Sequence, residues 1–269
     1  MRRLKACLHA LSLSLAVWLG VSPAALAQSV FSVRTGIPAF EAVNVARRIN
    51  VTLVCRDEVD KLPADVYARL KRSKAAMADV AAGASVCVVK AEASVARAVR
   101  CQVESGTLNV YADKFKYRRS PSIEVFVVYS GSISAITGAS GSNIATRGTL
   151  KTENLSISPG FAMSIRVSVL ARAVSVVARD HSEVWLMGAA ESITAELDNS
   201  STLRMRRMSC RSVALRASNG SRAQVNAENS LAVVARGRSD VSYFAPGCAT
   251  SFEADDFSRI YEQRVQENM

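Results

Sequence analysis

The sequence has 269 residues, a formal net charge of +11 at pH 7 and only two histidines, His9 and His181. A site built from several histidines is therefore excluded, and no two cysteines have the CxxC spacing of a zinc site. We predict no metal and no cofactor. The length and the regular composition suit one elongated repeat domain with caps, rather than several globular domains.

Residues 1–27 have the features of a secretory signal peptide. Arg2, Arg3 and Lys5 form a charged start, residues 11–21 are apolar, and Ala25-Leu-Ala27 forms a cleavage site. Loss of the three positive charges leaves a net charge of +8. No later stretch is long and apolar enough to cross a bilayer, so no transmembrane segment is expected in the mature chain. We predict export to the periplasm or to the cell surface of a Gram-negative bacterium.

Residues 28–130 are predicted to form a β-rich N-terminal cap with a helical insertion. The insertion, at about residues 61–83, has Pro63 in its first turn, Gly83 at its end and apolar side chains at helical spacing between them. Alternating apolar residues predict strands at 49–55, 86–91, 99–103 and 108–111. We expect this region to cover one open end of the repeats that follow, because an uncovered edge invites aggregation.

Residues 131–247 contain six repeats of about 20 residues. Each repeat has a short alternating segment, a small polar turn and a second alternating segment ten residues after the first. The first segments begin at Ser134, Leu155, Val174, Ile193, Val213 and Leu231. A period near 20 with alternation inside it predicts an all-β, single-stranded, right-handed β-helix of about six coils. A serine precedes the second segment in five repeats; it either bridges neighbouring coils or simply suits a turn.

The last segment, residues 248–269, departs from this alternation. Phe257, Ile260, Tyr261 and Val265 recur at helical spacing after two acidic residues. We therefore predict a short C-terminal helix that covers the last coil.

Several stretches resemble the head GIN domain of auto-transporter adhesins in bacterial envelopes. They are Ile123-Glu-Val-Phe-Val-Val-Tyr-Ser-Gly-Ser-Ile, Gly138-Ala-Ser-Gly-Ser-Asn-Ile, Tyr243-Phe-Ala-Pro-Gly and the hairpin Val103-Glu-Ser-Gly-Thr-Leu-Asn-Val. The resemblance covers about residues 40–247, and it departs from the family at Asp180-His181 and Asn199-Ser200, where glycines are expected. It implies a solenoid fold, an envelope location and no catalytic motif.

The excess positive charge is concentrated in the last repeats. Eight arginines and one acid, Glu228, lie between residues 203 and 238. Five of the arginines are expected near one edge, and together with the outward-facing Trp185 they form the predicted binding site: Arg204, Arg206, Arg222, Arg236 and Arg238. Such a patch fits an anionic glycan, lipopolysaccharide or envelope surface. The alternative is solubilising charge on a solenoid exterior. Nucleic acid is disfavoured because the chain is predicted to be exported and aromatic residues are scarce near these arginines.

Two other functions remain open at this stage. Asp180, Glu183 and Asp198 lie in equivalent turns of neighbouring coils, at spacings that glycoside hydrolysis permits, so a carbohydrate-active enzyme is one alternative. The same carboxylates with Asn199 would suit calcium. The other alternative is a scaffold whose caps meet a partner protein. We favour a non-enzymatic adhesin-like module with no catalytic residues.

Five cysteines follow the signal peptide: Cys55, Cys87, Cys101, Cys210 and Cys248. If the strands that hold Cys55 and Cys87 pair antiparallel, a disulfide would join them at the base of the helical insertion, with Cys101 as the competing partner. Cys210 and Cys248 are expected near one corner but two coils apart, too far to be bridged.

Overall fold

The computed structural model describes residues 29–46, 48–113 and 122–263. The predicted signal peptide and Val265 lie outside these ranges. Within them, the protein is a mostly β structure, and from residue 135 onward it forms a β-solenoid of about seven turns, where the repeat pattern predicts about six. No helix in these ranges is long and apolar enough to span a bilayer.

Parallel strands on two sides form the solenoid. Side A carries the first segment of each repeat and side B the second. The strands in chain order are β8 (Ala135–Gly138), β9 (Asn143–Arg147), β10 (Leu150–Ser158), β11 (Ser164–Ala178), β12 (Glu183–Leu197), β13 (Thr202–Ala217), β14 (Arg222–Asn226), β15 (Ser230–Ala235), β16 (Asp240–Phe244), β17 (Ala249–Ala254) and β18 (Arg259–Glu262). The long strands β11 to β13 run from side B of one coil to side A of the next.

The core consists of apolar side chains stacked coil upon coil. On side B, Ile165 lies in register with Val184, then Leu203, Ala223 and Val241. All five are almost completely buried, whereas the residues between them on the strands face outward. Alternate residues of a strand point to opposite faces, so the sequence pattern itself separates this interior from the surface.

The predicted C-terminal helix is wrong over the described residues. β17 pairs in parallel with β15, and β18 with β16, so residues 249–262 form a seventh coil. Phe257 lies in the turn between the two strands, and Ile260 is in register with Val241. Two short strands around a turn gave the same apolar spacing as a helix. Pairing with the preceding coil makes this segment two strands rather than a helix, and a local apolar pattern does not show such pairing.

The N-terminal region contributes two further coils out of chain order. Its strands are β1 (Ser29–Ile37), β2 (Ala42–Val45), β3 (Asn50–Cys55), β4 (Ser85–Glu92), β5 (Val99–Glu104), β6 (Thr107–Ala112) and β7 (Glu124–Tyr129). β2 lies in parallel between β6 and β8, and β3 lies between β7 and β9. Residues 42–55, which the sequence analysis assigned to the cap, are therefore a coil of the stack.

Antiparallel strands and helices cover the outer edge of this N-terminal end. β4 pairs with β7, β1 pairs with β4, and β5 pairs with β6. A 3-10 helix (Arg56–Lys61) leads into α1 (Ala64–Arg72) and α2 (Lys74–Ala82), and α3 (Ala93–Ala98) follows β4. α1 and α2 pack on the outer surface of the side B strands there, in a second apolar cluster that includes Val54, Leu70 and Phe126.

The predicted pairing of the Cys55 and Cys87 strands is wrong, because β7 lies between β3 and β4. All five cysteines of the described chain are free thiols. The buried Cys87 thiol is hydrogen-bonded to that of Cys101, and this contact together with burial raises the pKa of Cys87. Cys101, the competing partner, is thus the thiol that Cys87 meets.

A substitution on side B tests the register. Leu203→Asp places a charge in the interior and should destabilise the protein by several kcal/mol. Arg206→Asp, on an exposed side chain of the same strand, should change the free energy of unfolding little. Urea unfolding of both variants measures the difference. Equal midpoints for the two variants would show that the register is wrong.

The cysteines offer a second test. With oxidised glutathione as the oxidant, we expect Cys87 to couple to Cys101 and not to Cys55. The reaction should be slow at pH 7 and faster at higher pH, because the raised pKa leaves little Cys87 thiolate to attack. Non-reducing peptide mapping of the folded protein identifies the bridge. A Cys55–Cys87 peptide would contradict the strand order.

Candidate functional site

An aromatic side chain sandwiched between two arginines stands out on the outer surface of side B. Arg166, Trp185 and Arg204 occupy the same outward position on β11, β12 and β13. The guanidinium carbon of Arg166 lies 5.2 Å from the centre of the Trp185 ring, and that of Arg204 lies 4.7 Å from it. Both distances are within the range of a cation–π interaction, so the three side chains support one another.

An acidic neighbour orients one of these arginines. The Arg204 Nε donates a hydrogen bond to Glu183 Oε1 at 3.1 Å. The terminal guanidinium nitrogens of Arg204 thus stay available to an anion beyond the ion pair. The Trp185 indole nitrogen is buried and makes no hydrogen bond within the described structure. Because guanidinium groups cover the ring, a sugar that stacks on Trp185 must first displace one of them.

The structure brings together only some of the five predicted arginines. Arg222 is the first residue of β14 and lies one coil further on than Arg204. Its partner is Thr202, two residues before Arg204 on β13. Arg206 lies further along side B, where β13 has one more residue than β12. Arg238 lies in the turn just before β16. Arg236 lies on the other side of that turn and forms an ion pair with Glu253 at 2.5 Å.

Three of these arginines have charges that no carboxylate in the described part of the chain neutralises. Arg206, Arg222 and Arg238 are exposed, and none forms an ion pair with any described residue. Sequence reasoning missed Arg166, which completes the sandwich around Trp185. A signal was present, since Arg166, Trp185 and Arg204 are spaced by one repeat length.

The three candidate catalytic carboxylates each have a partner within the solenoid. Asp180 Oδ1 accepts a hydrogen bond from Asn199 at 2.9 Å, and Glu183 is bound by Arg204. Asp198 Oδ1 accepts from the Ser218 hydroxyl at 2.9 Å and from Asn219 Nδ2 at 2.7 Å. These bonds hold the pKa of Asp198 below its usual value. A lowered pKa keeps Asp198 ionised at neutral pH, so it does not suit the general acid of a glycosidase, which must carry a proton.

These turns have a left-handed backbone where the resemblance led us to expect glycine. Asp180, His181, Asn199 and Ser200 all have φ between +51° and +62°. The backbone N–H of His181 donates to the Asn199 carbonyl, and the backbone N–H of Ser200 donates to the Asn219 carbonyl, both at 2.9 Å. The turns are therefore tied to one another from coil to coil, which offsets the strain of a positive φ. In the described ranges, no cluster of three histidine, cysteine or acidic side chains is placed to hold a metal ion.

The serines before the second segments close these turns. Ser201 Oγ donates to the Asp198 carbonyl at 2.7 Å, and Ser239 Oγ donates to the Arg236 carbonyl at 2.7 Å. Bridging between coils also occurs, since the hydroxyls of Ser182 and Ser201 lie 3.4 Å apart. Both explanations of the serine repeat thus apply.

Comparison with known proteins supports the same architecture. The family model described as "putative auto-transporter adhesin, head GIN domain" matches residues 67–246. A putative adhesin from Bacteroides fragilis is similar in structure, with a TM-score of 0.69 and 14% identity over 88% of this chain and 97% of that one. A putative adhesin and a putative lipid binding protein from Parabacteroides distasonis give TM-scores of 0.62 and 0.58, each at 11% identity with the same coverage. At these identities the likeness concerns the fold. No curated protein matches the chain.

The assignment of Asp198 to turn stability predicts a pH effect. Its folded-state pKa is lowered, so its contribution to stability is complete above about pH 4 and is lost as the pH falls through the folded value. Asp198→Asn should lower the Tm at pH 7, because a neutral acceptor binds the Ser218 and Asn219 donors more weakly. The Tm difference from the unmodified protein should shrink toward pH 2.

Glu104→Gln, an exposed change outside the solenoid turns, serves as the control and should leave the Tm at pH 7 almost unchanged. A difference between the Asp198→Asn variant and the unmodified protein that stays constant down to pH 2 would contradict the proposed role of the carboxylate charge.

Proposed function

The chain belongs to the family of putative auto-transporter adhesins with a head GIN domain, and we propose that this adhesin-like module is exported and binds anionic glycans without catalysis. Lipopolysaccharide and other acidic envelope polymers are the ligand class. The outer surface of side B, around Arg166, Trp185 and Arg204, is the binding site. Arg206, Arg222 and Arg238 extend it toward the last coils.

The observation that carries this proposal is the fixed spacing of guanidinium groups on a rigid strand surface. Arg166 and Arg204 lie on either side of the Trp185 ring, two strand spacings apart, or about 10 Å. Arginine binds carboxylate, sulfate and phosphate groups through paired N–H donors. Groups held at fixed separation lose little conformational entropy when a polymer binds along them.

Unneutralised charge favours the same surface. Arg206 and Arg222 lie near Arg204 and have no carboxylate partner among the described residues. Their field attracts a polyanion and is screened by salt. The turn carboxylates lend no comparable support to an enzyme, since Asp180, Glu183 and Asp198 are all engaged by neighbouring side chains.

Retention on an immobilised acidic polysaccharide, measured against a salt gradient, tests the proposal. The binding variant combines Arg166→Gln, Arg204→Gln, Arg206→Gln and Arg222→Gln. We expect the affinity to fall about tenfold or more, equivalent to about 1.4 kcal/mol, and retention to lose most of its salt dependence. The control variant removes the same four charges elsewhere, by Arg97→Gln, Arg172→Gln, Arg211→Gln and Arg216→Gln, and should keep its affinity within about twofold.

Three outcomes would overturn the proposal. Equal losses in the two variants would show that only net charge matters. Absence of retention for the unmodified protein, on both acidic polysaccharide and lipopolysaccharide, would favour a scaffold for a partner protein. Cleavage of the polysaccharide that disappears in Asp180→Asn or Asp198→Asn would establish an enzyme.

A further inference from the structure

The two ends of the solenoid are built differently. At the N-terminal end, β4 and β5 pair antiparallel with the strands of the outermost coil. At the C-terminal end, β17 pairs only with β15 and β18 only with β16 among the described strands. Among the described residues, nothing pairs with the outer edge of either strand of the seventh coil, so each edge presents a row of backbone donors and acceptors.

No described residue covers the interior of the seventh coil at this end. Phe252 is in register with the buried Val233, and Ile260 with the buried Val241, so both occupy inward positions. Phe252 is nonetheless 41% exposed, because no described coil follows it. Phe257 and Tyr261 add exposed apolar area beside it, and an open hollow of about 720 Å³ lies between β17 and β18.

Opposite charges flank this apolar area on the same chain. Glu253 lies on β17 and Arg259 on β18, and both are outward. Each already has a partner in the sixth coil: Arg236 binds Glu253, and Asp240 binds Arg259. Glu253 and Arg259 thus each bind a partner on the side of the sixth coil, and the opposite side of each charged group is available to a second molecule.

We propose that the C-terminal end binds a second copy of this chain, end to end, through a twofold axis. An axis perpendicular to the solenoid and passing through the turn at residues 255–258 places β17 of one copy beside β18 of the other, antiparallel. If Phe252 lies opposite Ile260 of the second copy, inward residues meet inward residues. The same register places Glu253 opposite Arg259 of the second copy, and the symmetry makes both contacts twice.

Charge complementarity points to a copy of the chain as the occupant. Across the contact, Arg236, Glu253, and then Arg259 and Asp240 of the second copy alternate in sign. Both free edges are satisfied together, since β17 and β18 belong to one coil and the twofold axis pairs each of them with the other strand of the second copy. A head-to-tail contact lacks this match, because the N-terminal end that it would use is uneven. There, β1 lies two strands beyond β7, whereas β5 lies one strand beyond β6. Its two edges are therefore offset by about 4.8 Å.

Charge exchange tests the arrangement in the chain that begins at Gln28. Sedimentation and light scattering should show a dimer for the unmodified protein. Glu253→Arg or Arg259→Glu alone creates two like-charge contacts and should weaken dimerisation about tenfold or more, whereas the double variant should restore it. Thermal unfolding checks that each single variant still folds. Asp256→Asn should strengthen the dimer, because Asp256 faces Asp256 of the second copy at the axis.

Each contrary result overturns the proposal in a different way. A monomer at every concentration would show that the end is not an interface between copies. If deletion of residues 264–269 then produced a dimer, the C-terminal tail would be the occupant. Assemblies that grow with concentration would indicate head-to-tail stacking. A double variant as weak as the single ones would exclude the Glu253–Arg259 pairing.

Discussion

Stacking of apolar side chains between neighbouring coils is the interaction on which this structure depends. A single coil has its inward residues in one layer and cannot surround them, so Leu203 is buried only because Val184 and Ala223 lie above and below it. Each such aliphatic side chain contributes about 1.5–3 kcal/mol when it leaves water. The requirement fixes the repeat length, because a coil that gains or loses a residue must absorb it in a bulge. β13 does so between Arg204 and Arg207, in the segment that contains Arg206.

The coil formed by β2 and β3 adds a long-range constraint to this local stacking. It enters the stack between strands that follow it by about 60 to 90 residues. Ser142 Oγ donates to the Ala46 carbonyl at 2.6 Å, and Asn143 Nδ2 donates to Asn50 Oδ1 at 2.7 Å. Closing so long a loop costs entropy that sequential coils do not lose. Despite this cost, the N-terminal end joins the solenoid by interleaving. β2 and β3 are paired on both edges, which ties the cap to the repeats more firmly than a cap resting on the end.

The sequence revealed those features that depend on neighbours one repeat away. The six coils, the buried stripe and the outward position of Trp185 follow from a period near 20 and alternation within it. The coil at residues 42–55 did not, because its partners lie far along the chain and do not repeat its sequence. The seventh coil is not distinguished from a helix by its sequence, because the apolar residues around Phe257 fit both patterns. Within the candidate site, the prediction includes Arg204 and Trp185 but omits Arg166, although Arg166 lies one repeat length before Trp185.

A rigid interior also determines what the exterior can do. Outward side chains on side B lie at intervals of one strand spacing, so charges on successive coils keep a fixed distance whatever ligand they meet. Single guanidinium contacts at an exposed surface are weak, and a row of them gains affinity chiefly when one polymer meets several. In the proposed dimer the twofold axis passes through the turn between sides A and B, so side B of one copy continues side A of the other and the two side B surfaces lie on different sides of one longer solenoid. A flexible acidic polymer that reaches both surfaces would bind with the combined affinity of two weak sites, and the open C-terminal end would then serve the binding function of the coils.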